Sequence, residues 1–399
     1  MVHTLYGDGV HDDTAAIQEL IDASCEVRLP CPKVHYLISK PLELPSNCKL
    51  CLPRYAEIRL APASNCVMLK NKTVDNYKER TTSKLFSFIN RFSPDFPCEN
   101  IEVEGGVWNF NNKQQNPNPI LSGRYEPEGY SGFGFLFYHI KGFRMSSMTL
   151  KDPCNFSVTL DTVSYFNVEN ITFDFNDGNE HQSNMDGIHI NGNCHHGHIE
   201  KLFGTCYDDT VALNAQEGSC GPISDITIRG IYTEGAYSAV RLLSSSPESS
   251  IRNIHISDVH GTFYHFCVSF QHHYNTGKRG FVENVEISNI YAAKSDRNQV
   301  KFYLVHKYDK YGIIDFAGEN DYKNITVENL HRKEYIDATP TIRILENANI
   351  DHLILHNITS ENHTENEQMP MAVNHGVVKN LETNALYEDG RKVEFLGVV

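Results

Sequence analysis

From about residue 100 onward one short phrase keeps returning: Asn or another polar residue, a β-branched residue, any residue, and a second β-branched residue. Asn100-Ile101-Glu102-Val103, Asp225-Ile226-Thr227-Ile228, Asn253-Ile254-His255-Ile256, Asn284-Val285-Glu286-Ile287 and Asn324-Ile325-Thr326-Val327 are examples. Counted from Ile226, the phrase recurs at Ile254, Val285, Ile325 and Leu353, in steps of 28, 31, 40 and 28 residues. A period near ~30 residues marks a coil or an array. Each phrase alternates apolar with polar residues, the period of a strand with one buried face, and helical spacing is almost absent beyond residue 25. Strand-only repeats of this length fit an all-β solenoid, in which each turn pairs edge to edge with its neighbours and the inward side chains form apolar rows. Asn at a fixed place suits a bend, because it tolerates the left-handed conformation and its amide can mimic a backbone turn. On this reading sequons such as Asn170-Ile171-Thr172 need no glycan.

A solenoid must be closed at its ends, or its edges will pair with other chains. Residues 1–25 supply a lid: Asp12, Asp13 and Thr14 can cap a helix whose Ala15, Ile17, Leu20 and Ile21 form one apolar stripe. This places the Asp12-Asp13 pair in structure rather than in chemistry. Val34–Ile38, Lys49–Leu52 and Glu57–Leu60 alternate as first coils, with Pro30, Pro41, Pro45 and Pro53 at the breaks. Residues 70–130 are irregular and are expected to make long loops. No linker divides the chain, so residues 1–399 are expected to form a single domain.

With 399 residues and 40% hydrophobic content the chain can bury a large core. Fifty acidic against 35 basic residues give a net charge of −15, which argues against nucleic acid and anionic membranes as partners. No apolar run approaches the ~20 residues that a spanning helix needs, and the N-terminus lacks a basic segment followed by an apolar one. A cytoplasmic location is therefore expected. The 11 cysteines, scattered between Cys25 and Cys267, read as small buried hydrophobes in a reducing compartment. Cys48-x-x-Cys51 lacks the second pair that a zinc site would need, and alternation would send the side chains of Cys194-His195-His196-Gly197-His198 apart.

Chemistry concentrates in Asn184-Met185-Asp186-Gly187-Ile188-His189 and Tyr207-Asp208-Asp209-Thr210-Val211. Ile188, Val211, Val240 and Val268 are separated by 23, 29 and 28 residues, one coil each. If they stack, Asp186 lies beside Asp209 about 4.8 Å away, with Asp208 one residue off, and three carboxylates share one surface. Like charges opposite one another are destabilising in a sheet, so such a cluster calls for a function. It also pushes pKa values apart, keeping one carboxyl protonated while its neighbours ionise, as glycosidic cleavage requires of its acid and base. Capping of a turn and binding of a cation are the competing readings of the same residues.

Asn184-x-Asp186 followed by Asp208-Asp209 resembles the active-site motifs of the polygalacturonase-type glycoside hydrolases, family 28, within the pectin-lyase-like proteins. Gly7-Asp8-Gly9-x-x-Asp12-Asp13-Thr14 and Pro41-Leu42-x-Leu44-Pro45-Ser46-Asn47 resemble the opening of bacterial members, so the likeness covers nearly the whole chain. It implies a right-handed single-stranded parallel β-helix that hydrolyses a poly- or oligosaccharide with inversion and without cofactor or metal. Asp208 would be the general acid, while Asp186 and Asp209 would hold the attacking water. Where the family has Gly-His-Gly the chain reads Gly235-Ala236-Tyr237, and no cation stands near Cys267-Val268-Ser269-Phe270, where the family has Arg-x-Lys. Arg241 is the candidate cation for an acidic sugar. His189, His265, His272 and His273 are candidates for the missing histidine, Tyr237, Tyr264 and Tyr274 for stacking on a sugar, and Asn184 for contact with substrate. Carbohydrate is the expected partner; the sugar, its charge and the oligomeric state are left open. The rivals are a polysaccharide lyase that uses calcium and a non-catalytic, tailspike-like carbohydrate-binding coil.

Overall fold

The computed structural model describes residues 3–72, 97–115, 132–175, 185–296, 311–365 and 368–395. Alternation drives the chain into strand after strand, and among these residues 25 strands join one continuous sheet that winds as a right-handed parallel β-helix. Every pairing is parallel except the last, where Arg391–Lys392 folds back antiparallel onto Val377–Glu388. That short, charged hairpin blunts the final edge. Among the described residues, no helix is long and apolar enough to cross a membrane.

The register follows the sequence intervals. Ile188 pairs with Val211, Val211 with Val240 and Val240 with Val268. Ile226, Ile254, Val285, Ile325 and Leu353 form a second row, one coil after another. Ile188, Val211, Val240, Val268, Ile314 and Ile342 are all fully buried, and each such side chain contributes about 1.5–3 kcal/mol relative to exposure.

The bends carry the predicted asparagines. Asn253, Asn284 and Asn324 have φ of 54°, 55° and 56°, the left-handed region that Asn accepts more readily than other side chains. Their amides join into a ladder: Asn253 donates to Asp225 at 2.8 Å, Asn284 to Asn253 at 3.0 Å and Asn324 to Asn284 at 2.9 Å. A parallel ladder runs through Asp258, Asn289, Asn329 and Asn357. Outside the coil, Phe203, Tyr232, His260, Tyr291 and His331 stack ring on ring at spacings of 5.4, 5.3, 4.7 and 5.0 Å.

The N-terminal helix α1 (Thr14–Ala23) covers the first coil with Ala16, Ile17 and Ile21. Ala15 and Leu20, expected in the buried stripe, face solvent; the helix is rotated so that Ala16 points inward instead. Asp12 accepts the Thr14 N–H at 2.8 Å. Asp13, fully buried, accepts the backbone N–H groups of Tyr6 and Leu37 and so pins the entering chain to the first coil. Within the stretch 70–130, expected to be loops, Cys98–Glu104 and Val107–Asn109 are strands of the coil; residues 73–96 and 116–131 lie outside the described residues. All 11 cysteines are free, seven of them buried.

Candidate active site

One row of the solenoid departs from ordinary patterning. Along the strands Val158–Leu160, Ile188–Ile190, Val211–Leu213, Val240–Leu242, Val268–Phe270, Ile314–Phe316 and Ile342–Ile344, the flanking residues fill the core while the middle residue points outward. That outward row reads Thr159, His189, Ala212, Arg241, Ser269, Asp315, Arg343. Thr159, His189, Ala212, Ser269 and Asp315 are all buried although they face away from the core. Charged residues on a closed face are costly unless each finds a partner, and here they do.

Asp186 and Asp209 approach the row from the ends of adjacent strands. Because Ile188 pairs with Val211, Asp209 is brought beside Asp186 and donates its backbone N–H to Asp186 Oδ1 at 3.0 Å. Asp208 precedes it in the same turn, and each of the three residues offers a carboxylate oxygen within 4.8 Å of the others. Arg241, one coil further, places Nε 2.8 Å from Asp209 Oδ2 and Nη2 3.5 Å from Asp208 Oδ1. Neither approach has hydrogen-bond alignment, so the contact is ionic. Ser238, paired with Asp209 in the ladder, donates its hydroxyl to Asp209 Oδ1.

Behind Asp186 lies a second layer. His189 places Nδ1 2.6 Å from Asp186 Oδ2, and its Nε2 faces Asn191 Oδ1 at 3.1 Å and Glu217 Oε2 at 3.3 Å. The imidazole lies flat against Phe156, with centroids 3.8 Å apart. Glu217 is held in turn by the Tyr274 hydroxyl, which donates to Oε1 at 2.6 Å, and by the Asn214 amide.

These environments separate the titrations. Burial raises Asp208 well above the usual carboxylate range, and the neighbouring Asp209 and Asp186 charges push it further. Burial also raises Asp209, to about 7, against the pull of Arg241. Asp208, farther from the guanidinium, is the member of the pair that keeps the proton. Burial works to lower His189, but its hydrogen bonds to Asp186 and Glu217 outweigh that and bring it to about 9. Glu217, raised by burial and lowered more strongly by His189, falls to about 2. The three aspartates are close enough together to ligate a divalent ion. The guanidinium of Arg241, between Asp208 and Asp209, already supplies a fixed positive charge there.

The other expected residues divide. Asp186, Asp208, Asp209, His189 and Arg241 converge. The three carboxylates, expected to share one surface, are nearly enclosed: Asp208 is 7% exposed, Asp186 2% and Asp209 0%. His189, expected to touch substrate, is wholly buried with both ring nitrogens engaged, so it contacts Asp186 instead. Tyr237 and His265 pack together with ring centroids 4.0 Å apart, His265 also stacking on Tyr311, so both belong to a buried aromatic cluster beside the site. His272 sits in the turn after Val268–Gln271, its Nε2 3.0 Å from the Lys278 carbonyl oxygen. Asn184 lies outside the described residues. Of the Cys-His-His-Gly-His stretch, Cys194 is buried and its thiol donates to the Leu160 carbonyl, while His196 and His198 are exposed. Glu217 was not singled out from the sequence; it lies in a turn, off the strand periodicity, and its only signal is its place three residues after Asn214 on the Asp208–Asp209 coil. A groove lined by Phe175, Tyr207, Glu234, Thr262, Lys294 and Asp296 crosses the neighbouring coils, and Tyr207 precedes Asp208 in the chain.

No family model and no curated protein matches the chain. Among solved structures it is similar to the surface adhesin PfbA of Streptococcus pneumoniae, with a TM-score of 0.58 at 15% identity over 96% of this chain and 90% of that one. It is also similar to the tailspike protein of E. coli bacteriophage HK620 in complex with pentasaccharide, with a TM-score of 0.67 at 13% identity over 94% of this chain and 64% of the tailspike. The complex of that tailspike with hexasaccharide gives a TM-score of 0.63 at 13% identity, over 95% and 62% of the two chains. At these identities the likeness shows a shared fold, the right-handed parallel β-helix.

Proposed function

We propose that the protein is a glycoside hydrolase of the polygalacturonase-like type, cleaving a glycosidic bond by inversion with Asp208 as general acid and Asp186 with Asp209 as the pair that activates water. The observation that carries this reading is the meeting of three carboxylates from two coils, with burial and the neighbouring Asp209 and Asp186 charges favouring the protonated form of Asp208. Asp208, the most exposed of the three, donates its proton to the leaving oxygen. Asp186 and Asp209 accept hydrogen bonds from a water and take its proton as it attacks the anomeric carbon. The proton lost by Asp208 is matched by the one taken from water, so the net charge of the site does not change, and Arg241 and His189 offset the negative charge that the carboxylates carry throughout.

Arg241 is engaged by two aspartates, so it is not free to grip a uronate carboxylate. This supports a neutral sugar at the point of cleavage. The same ion pairs speak against the lyase reading, since a calcium ion would compete with a fixed guanidinium. The near-closure of the carboxylates favours one second reading, a non-catalytic coil that binds carbohydrate. Digestion of a glycan panel by wild type and Asp208→Asn, followed by mass spectrometry, separates the three. Products heavier by one water, lost in Asp208→Asn, support hydrolysis; an unsaturated product means elimination; binding without any product in either protein means a binding module.

A further inference from the structure

We propose that Glu217 is a positioning residue of this site: held by Tyr274 and Asn214, it acts through His189 to fix the Asp186 carboxylate toward the attacking water. The inference rests on the hydrolase reading for its catalytic consequence, and on geometry alone for the relay itself.

The relay is a continuous chain of short contacts. Tyr274 OH donates to Glu217 at 2.6 Å, Glu217 faces His189 Nε2 at 3.3 Å, His189 Nδ1 meets Asp186 at 2.6 Å, and Asp186 accepts the Asp209 N–H at 3.0 Å. Nothing in it can swing easily. His189 is clamped on the Phe156 ring, and the turn that carries Glu217 is tied down from three sides. Ser219 N–H donates to Asp161 Oδ2 at 2.8 Å, Gly192 N–H to the Ser219 carbonyl at 3.0 Å, and Gly221 N–H to the Ala215 carbonyl at 3.1 Å.

A buried carboxylate on a turn adds nothing to the apolar rows and is expensive to desolvate. Its placement on the far side of a histidine from Asp186 has a specific effect: a doubly hydrogen-bonded imidazolium keeps both its protons and holds the carboxylate it faces in one orientation. The charged groups packed around this histidine are Asp186 on its own coil, Glu217 from the following turn, Asp208 and Asp209 from the next strand and Arg241 from the one after. Asp161, on the preceding strand, reaches the Glu217 turn through Ser219. Negative charges outnumber positive ones, which favours the protonated ring and agrees with its elevated titration.

The test uses full-length wild type, Glu217→Gln and Tyr274→Phe, with two readouts. The first is the 15N shift of His189 against pH in histidine-labelled protein, which needs no turnover. The ring is expected to hold both protons to about pH 9 in wild type and to lose one about one pH unit or more lower in Glu217→Gln. The second is the kcat profile on a glycan that wild type cleaves. Glu217→Gln is expected to lower kcat ~10–100-fold with KM within about twofold, and to move the alkaline limb to lower pH. Tyr274→Phe deletes one hydroxyl and gives smaller changes in the same directions, which keeps the test decisive if Glu217→Gln does not fold. An unchanged His189 titration in both variants overturns the relay. A shifted titration with an unchanged kcat and pH profile overturns the positioning role. If no glycan is cleaved by wild type, the hydrolase reading fails and the titration alone decides the relay.

Discussion

Asp209 donates its backbone N–H to the side chain of Asp186 at 3.0 Å, across the gap between two successive coils. A ladder contact that would ordinarily join two main chains is taken over by a carboxylate, and the same carboxylate turns its second oxygen to His189 at 2.6 Å. Removing it strands a buried N–H and takes from the His189 imidazole its nearest partner, leaving Nε2 facing Asn191 and Glu217. Asp186→Ala is therefore expected to cost about 3–5 kcal/mol in urea unfolding, the range for breaking one side of a buried pair. A loss below about 1 kcal/mol would mean that the network is not formed as described.

The site also predicts how stability follows pH. His189, raised from 6.5 to about 9, contributes stability that is complete below 6.5 and lost as pH rises through 9. Asp209, raised from 3.8 to about 7, likewise favours the folded state at low pH and loses that contribution as pH rises through 7. Glu217, lowered from 4.5 to about 2, contributes above 4.5 and loses its contribution as pH falls through 2. Asp209 begins to lose its contribution above 3.8 and Glu217 has gained its own by 4.5, so the three together place the greatest site-linked stability between about pH 3.8 and 4.5, with a decline above it. Thermal melts across the range should show a decline from pH 6.5 to 9, and Glu217→Gln should flatten it. A melting temperature that climbs over that interval contradicts the assignment.

Arg241 stands where a divalent cation would otherwise sit. Wild type is expected to show the same melting temperature with 1 mM calcium as with a chelator, at about the concentration where weak sites begin to fill. Arg241→Ala exposes three carboxylates to the ion and should gain roughly 1 kcal/mol of calcium-dependent stability. Calcium-dependent stabilisation or activity of wild type would favour the lyase reading.

The asparagine ladders make a prediction about the scaffold. Asn284 combines φ of 55° with hydrogen bonds to Asn253 and Asn324. Asn284→Ala loses both and is strained in the left-handed region, for a total of about 2–3 kcal/mol. Asn284→Gly keeps the conformation and should cost about half as much. Equal losses in urea melts would mean that the left-handed bend contributes nothing.

Much of this is legible in the sequence, because a parallel coil converts sequence intervals directly into neighbours. The spacing from Ile188 to Val211 was enough to put Asp186 beside Asp209, and the fixed Asn marked the bends. What intervals do not report is which way an irregular turn faces. Glu217 and Tyr274 lie off the strand period, so neither the burial of Glu217 nor its contact with Tyr274 could be read from it. Burial of the outward row was equally hidden: Ile188-His189-Ile190 and Val240-Arg241-Leu242 alternate like any half-exposed strand. For that reason His189 looked like a substrate ligand and proved to be enclosed, and Arg241 looked available for a sugar carboxylate and proved to be paired. Helix α1 shows the same limit on a smaller scale, since apolar spacing did not distinguish Ala15 from Ala16.

Whether Asp208 carries the proton delivered to the leaving oxygen is decided by comparing hydrolysis of a natural glycan and of an aryl glycoside with an activated leaving group by wild type and Asp208→Asn. The expected result is a loss of ~10²–10⁴-fold on the natural glycan, a much smaller loss on the activated one, and an Asp208→Asn protein as stable as wild type. Equal losses on both substrates, or undiminished cleavage of the natural glycan, would contradict it.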